Sequence, residues 1–222
     1  MPFEVEILPD ADAVALRGAT VVAEAAAAAI ADRGRFTLAV SGGHTPWAMF
    51  AKLPGTLAWD AVTIFQVDER VAPEGDPDRN LTHLLASLPS GAGADVHAMP
   101  VGEDDLDAAA AAYAASLPDA FDLVHLGLGP DGHTASLVPG DPVLDVSDRD
   151  VAVTGVYQGR RRMTLTYPAL DRSRRILWLV TGDDKVEALR RLGDGDPSIP
   201  GGRVSREQAL VVADAAAAGS GS

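Results

Sequence analysis

Short apolar runs alternate along this chain with longer amphipathic stretches, and that rhythm restricts the fold more than any other feature. FTLAV (36–40), VTIFQV (62–67), DVHAM (95–99), FDLVHLGL (121–128), DVAVTGV (150–156), RRILWLV (174–180) and ALVVA (209–213) have the length and composition of strands. Helical patterns fill most of the gaps, at 12–33, 46–53, 79–88, 105–116 and 184–192, with Thr45 and Pro46 as a cap and first-turn pair. Strands alternating with helices predict an α/β fold, a Rossmann-like, mainly parallel sheet flanked by helices.

A chain of 222 residues can bury a sizeable core, and no internal repeat or long linker divides it. One domain is expected over 1–214, followed by a flexible low-complexity tail, AAAAGSGS, at 215–222. Much of the 47% hydrophobic content is alanine, in runs such as AEAAAAAIA, so the larger core residues must come from the strands. No apolar run approaches the length of a membrane span, and the acidic start, MPFEVEILPDADAV, is unlike a signal peptide.

The formal charge of −14 disfavours nucleic acid and anionic membranes as partners, and any anionic ligand would need a local cationic pocket. With no cysteine, disulfides and thiolate chemistry are excluded, which is compatible with a reducing cytoplasm. His44, His83, His97, His125 and His133 show no metal-ligand spacing, and no serine sits in a nucleophile elbow.

Ligands of open α/β sheets bind beyond the carboxyl ends of the strands. After FTLAV comes SGGHTP (41–46), whose Ser41, Gly42 and Gly43 would let a backbone loop approach an anion at a helix start; a tight turn is the competing reading. The loop lacks the Walker lysine and the G-x-G-x-x-G spacing, so a nucleotide cofactor is not expected. After VTIFQV comes VDERVAPEGDPDRN (67–80). Continued strand geometry would turn Asp68 and Arg70 to one side and Glu69 to the other, although DER in isolation also suits a surface ion pair.

The segment GLGPDGHTAS (127–136) puts His133 in a glycine-flanked loop, with Asp131 or Glu69 available to set its tautomer. Such an imidazole can take a proton from water, and a capping role is the alternative. Two further cationic stretches are QGRRRMTLTYPAL (158–170), where alternation turns Arg162 inward, and GDDKVEALRRL (182–192), where Lys185 at a helix start suits an anion.

In this order and spacing, SGGHTP, VDERVAPEGDPDRN, FDLVHLGLGPDGHTASLVPG and RRMTLTYPALDRSRRILWLVTGDDK resemble the 6-phosphogluconolactonase family over roughly residues 5–213. The resemblance implies a cofactor-free, cytoplasmic enzyme, monomeric or weakly dimeric, that hydrolyses 6-phospho-D-glucono-1,5-lactone. It implies His133 as general base, with Asp131 and Asp68 beside it in the catalytic group. Ser41, Gly42, Gly43, Arg70, Arg162 and Lys185 then hold substrate and phosphate.

The chain departs from the family at Arg79, which would add positive charge at the pocket mouth, and at Val138, a change of packing. The related glucosamine-6-phosphate deaminases carry a glutamate five residues after the histidine, where this chain has Val138. A sugar-phosphate sensor is the other reading, although no basic helix-turn-helix precedes the first helix.

Overall fold

The computed structural model describes residues 3–220. In chain order the elements are β1 (Glu4–Leu8), α1 (Ala11–Arg33), β2 (Phe36–Val40), α2 (His44–Phe50), β3 (Val62–Gln66), β4 (Asp68–Arg70), α3 (Asn80–Ser87), β5 (Asp95–His97) and α4 (Leu106–Ser116). They continue with β6 (Leu123–Leu126), β7 (Val151–Val153), β8 (Arg162–Leu165), α5 (Tyr167–Asp171), β9 (Ile176–Val180), α6 (Val186–Asp194), α7 (Pro200–Arg203) and β10 (Ala209–Asp214).

Seven strands form one all-parallel sheet in the order β1-β10-β9-β6-β2-β3-β5. A sheet covered on both faces needs strands that are apolar on both sides. Leu38, Val40, Leu177, Leu179, Leu210 and Val212 pack into a core beneath α1 and α2. Their neighbours Ala39, Ile176, Trp178, Val180, Val211 and Ala213 enter a second core on the opposite face. Two alternating sets of side chains therefore build two cores from the same strands.

The 150–156 run, expected in the main sheet, departs from it. As β7 it joins β4 and β8 in a separate three-stranded antiparallel sheet. Strand β1 was not expected: EVEIL is short, interrupted by acids and exposed along an edge, with Val5 and Ile7 each 46% accessible. Short helices α5 and α7 hold too few residues to show a period.

Two local expectations change, at the start of α2 and along α1. Helix α2 begins at His44 with Gly43 at its cap, and Thr45 Oγ1 meets Thr181 Oγ1 at 3.0 Å instead of capping. In the tail, Ala217 is fully buried, its N–H donates to Asp214 Oδ1 at 2.7 Å, and the Ser220 N–H reaches Ala215 O; residues 221–222 lie outside the described region. Helix α1, at 23 residues, is after all long and apolar enough by length and composition to cross a membrane. Its alanine content explains this, and in the fold Val14, Val21, Val22 and Ala26 are buried against the sheet. Gly18 lets it sit close, since a Cβ there would lie 2.9 Å from Leu179 Cδ1.

Candidate active site

The loops that follow β2, β6 and β9 meet the β4–β8 ribbon at the carboxyl edge of the parallel sheet, around a cavity of about 420 Å³. Ser41, Gly42, Gly43, Asp68, Arg70, His133, Arg162 and Lys185 all line it. Asp131 does not; it stands behind the imidazole.

His133 occupies a loop folded back on itself by Gly129 N–H to His133 O at 2.8 Å and Gly132 N–H to Gly129 O at 2.9 Å. Gly132 has φ +81°, a left-handed conformation that costs glycine nothing. Asp131 Oδ1 lies 2.6 Å from His133 Nδ1 and accepts the His133 backbone N–H at 3.1 Å. Burial pushes the Asp131 carboxyl up, but the hydrogen bonds and charge from His133, with one from Tyr157, outweigh it and leave the group below its ordinary value. An ionised carboxylate beside Nδ1 places the proton of a neutral ring there and leaves Nε2 as the acceptor. Glu69, the other candidate for this orientation, is fully buried and engaged elsewhere.

The DER segment splits as its alternation predicts. Asp68 and Arg70 face the cavity, while Glu69 accepts from Gln66 Nε2 and from the N–H groups of Arg70, Asn80 and Leu81 at 2.7–2.9 Å. Arg79 Nε approaches Glu69 Oε2 at 3.4 Å with Arg79 only 6% exposed. This corrects the expectation that Arg79 adds charge at the pocket mouth: a fully buried carboxylate needs a countercharge, and Arg79 supplies it from within.

Asp68 accepts Ser136 Oγ–H at 2.6 Å and Asn80 Nδ2–H at 3.3 Å. Burial raises its pKa, against the opposing pull of the Ser136 hydroxyl and the Arg70 and Arg162 charges. Asn80 also turns Oδ1 to Arg70 Nη1 at 2.8 Å, so one amide aligns both ends of the acid–guanidinium pair. Sequence reasoning gave neither Asn80 nor Ser136 a role, although both lie in the motifs that point to the site. Their signal was faint: a polar residue at a helix start, and a serine two residues past a loop threonine. A Cβ on Gly42 would stand 1.9 Å from Asn80 Oδ1, so glycine there is a packing requirement.

Arg162 faces inward, as alternation predicts, and is 5% exposed. Burial lowers its pKa, partly offset by the Asp68 charge. Lys185 precedes α6 at the end of a 3-10 turn rather than lying in the helix's first turn, and pairs with Asp184 at 2.7 Å. Arg160 is drawn off the cavity by Asp76 and Asp78, and Arg161 is exposed. The cavity thus brings three cationic side chains, the buried acid Asp68 and the His133 imidazole, with His44 and Asp184 also on its wall, around a space the size of a small phosphorylated sugar.

A family model described as glucosamine-6-phosphate isomerases/6-phosphogluconolactonase matches residues 9–212. A 6-phosphogluconolactonase of Synechocystis is 36% identical over 206 residues, which cover 85% of this chain and 84% of the relative. Another, from Mycobacterium tuberculosis, is 35% identical over 98% of each chain. Among solved structures, a 6-phosphogluconolactonase from Shewanella baltica superposes with a TM-score of 0.87 at 24% identity, covering 95% of this chain and 97% of that one. A monomeric glucosamine-6-phosphate deaminase superposes with a TM-score of 0.83 at 19% identity, over 98% of this chain and 100% of that one. These two likenesses concern the fold.

Proposed function

This chain belongs to the glucosamine-6-phosphate isomerase/6-phosphogluconolactonase family, and on that premise we propose that it hydrolyses 6-phospho-D-glucono-1,5-lactone to 6-phosphogluconate in the oxidative pentose phosphate pathway. One observation carries the reading: His133, backed by Asp131, shares a cavity with Arg70, Arg162 and Lys185. A phosphate held by these cations and by the Ser41-Gly42-Gly43 backbone puts the lactone carbonyl at the imidazole end. His133 Nε2 removes a proton from water as the oxygen adds to C1. The tetrahedral species then collapses, breaking the bond from C1 to the ring oxygen, which takes the proton from the imidazolium. Asp131 keeps the ring in the reactive tautomer and stabilises its charged form. Asp68, fastened by Ser136 and Asn80, orients Arg70 and the sugar hydroxyls.

A lactone is an activated ester, so no covalent intermediate or cofactor is required, and positioning with general-base help of about 10²–10⁴-fold is sufficient. The reaction is assigned to the cytoplasm and to a monomer or weak homodimer. The test follows loss of lactone generated in situ against its spontaneous hydrolysis. Turnover should be rapid in the native protein and should collapse in His133→Ala while 6-phosphogluconate still binds; near-native turnover in that variant would remove the base assignment. Val138, 4% exposed, supplies no carboxylate for ring opening, so no ammonia is expected from glucosamine 6-phosphate.

A further inference from the structure

Tyr157 lies outside every motif that points to the reaction, yet it touches both halves of the site. It begins a two-residue hairpin turn between β7 and β8, in which Tyr157 and Arg160 exchange backbone hydrogen bonds at 3.0 and 3.3 Å. Gln158 and Gly159 between them have φ +52° and +82°. Left-handed geometry at both central residues suits the twist of a hairpin, but it strains a glutamine. Gln158 Oε1 accepts from Arg162 Nη2 at 3.1 Å, so the strained residue holds a cavity cation.

The phenol of Tyr157 approaches Asp131 Oδ2 at 3.3 Å, while the other oxygen of that carboxylate serves His133. Its ring meets the imidazole edge-on, with centroids 5.5 Å apart. The Arg162 guanidinium carbon lies 4.9 Å from the centre of the same ring. One side chain therefore bears on the carboxylate, the imidazole and the arginine together. Burial first, and then the Asp131 charge, push the phenol up from its ordinary value, so it remains protonated and donates.

We propose that Tyr157 is a positioning residue for lactone hydrolysis, its hydroxyl fixing the plane of the Asp131 carboxylate and its ring forming the plate against which Arg162 is set. The proposal rests on the function assigned above. The hydroxyl does not face the reacting atoms, and Tyr157 is not part of the cavity wall. Its two parts act on different steps. The hydroxyl governs proton transfer through Asp131 and His133, whereas the ring governs anion binding through Arg162.

Tyr157→Phe and Tyr157→Leu separate the two. Loss of the hydroxyl alone should lower kcat by about 3- to 10-fold while KM and 6-phosphogluconate affinity stay within about twofold. Loss of the ring should lower kcat similarly and also weaken 6-phosphogluconate binding about tenfold, as a cation loses its aromatic face. A native kcat in Tyr157→Phe, or native affinity in Tyr157→Leu, overturns the proposal. Long-range ¹H–¹⁵N spectra of the His133 ring give a reading that needs no turnover. The Nδ1–H tautomer of the native protein should become mixed in Tyr157→Phe, and an unchanged spectrum would overturn the positioning role. A native protein without lactonase activity would instead refute the proposed function, with the tautomer comparison still deciding the role of Tyr157.

Discussion

Gly129 holds the imidazole in place by what it lacks: a Cβ there would stand 2.0 Å from His133 Nδ1 and 2.8 Å from Asp131 Oδ1. Its backbone is not left-handed, so the demand for glycine is steric. Gly129→Ala should therefore displace the ring and cost about 10² in kcat, the order expected for ångström-scale misplacement of a catalytic group. Affinity for 6-phosphogluconate, measured by calorimetry, should change little; an equal loss in both would mean that the loop as a whole has moved. At the same scale, the lowered pKa of Asp131 sets a sign. The folded carboxyl binds its proton less readily than the unfolded one. Its hold on His133 is thus fully present above the ordinary carboxylate value and is lost as pH falls through the lower folded one. Turnover followed toward acid should not fail because Asp131 is protonated until below about pH 4. The glycine-flanked histidine was legible as a loop signal, but Asp131 and Glu69 were equal candidates for its partner. The choice depended on Glu69 being consumed by Gln66, Arg79 and the start of α3.

The strand β6 that delivers this loop carries a second histidine with a different fate. His125 is completely buried, both ring nitrogens lack a hydrogen-bond partner among the described residues, and burial lowers its pKa to about 3 from 6.5. The native ring stays neutral where the unfolded one takes up a proton. Stability is therefore intact above pH 6.5 and falls at about 1.4 kcal/mol per pH unit as acid is added, until the folded value is reached. His125→Leu fills a similar volume without titrating. In urea melts it should gain about 3 kcal/mol relative to the native protein between pH 7 and pH 4, and a constant difference would remove this account. Element prediction succeeded for strands buried on both faces, where most residues are apolar. It failed for β1 and assigned β7 to the main sheet, because a short edge strand and a short ribbon strand have no periodic signal of their own. Their pairing energy comes from partners distant in the chain: β10 for β1, and β8 for β7.

For the molecule as a whole, a net charge of −14 surrounds one cavity whose walls come from both sheets. A ligand that bridges Arg70 and Arg162 on the small sheet with Lys185 beyond β9 ties the two layers together. At about 100 times its Kd, 6-phosphogluconate should add about 2.7 kcal/mol, a rise in Tm of about 5–10 °C. Arg70→Ala combined with Lys185→Ala should abolish most of that rise at the same concentration and mainly raise KM; an undiminished rise would show that these cations do not hold the phosphate. The alternation of the main-sheet strands with the longer helices, the loops that follow β2, β6 and β9, and the glycine-rich histidine segment were legible in sequence alone, since apolar periodicity and turn chemistry are local. Tertiary structure alone decided that Arg79 serves a buried acid, that Asn80 and Ser136 align Asp68, and that Tyr157 reaches from one half of the site to the other. Each of these depends on which groups are left to neutralise or saturate one another once water is excluded, and residues remote in the chain settle that only when the sheets close together.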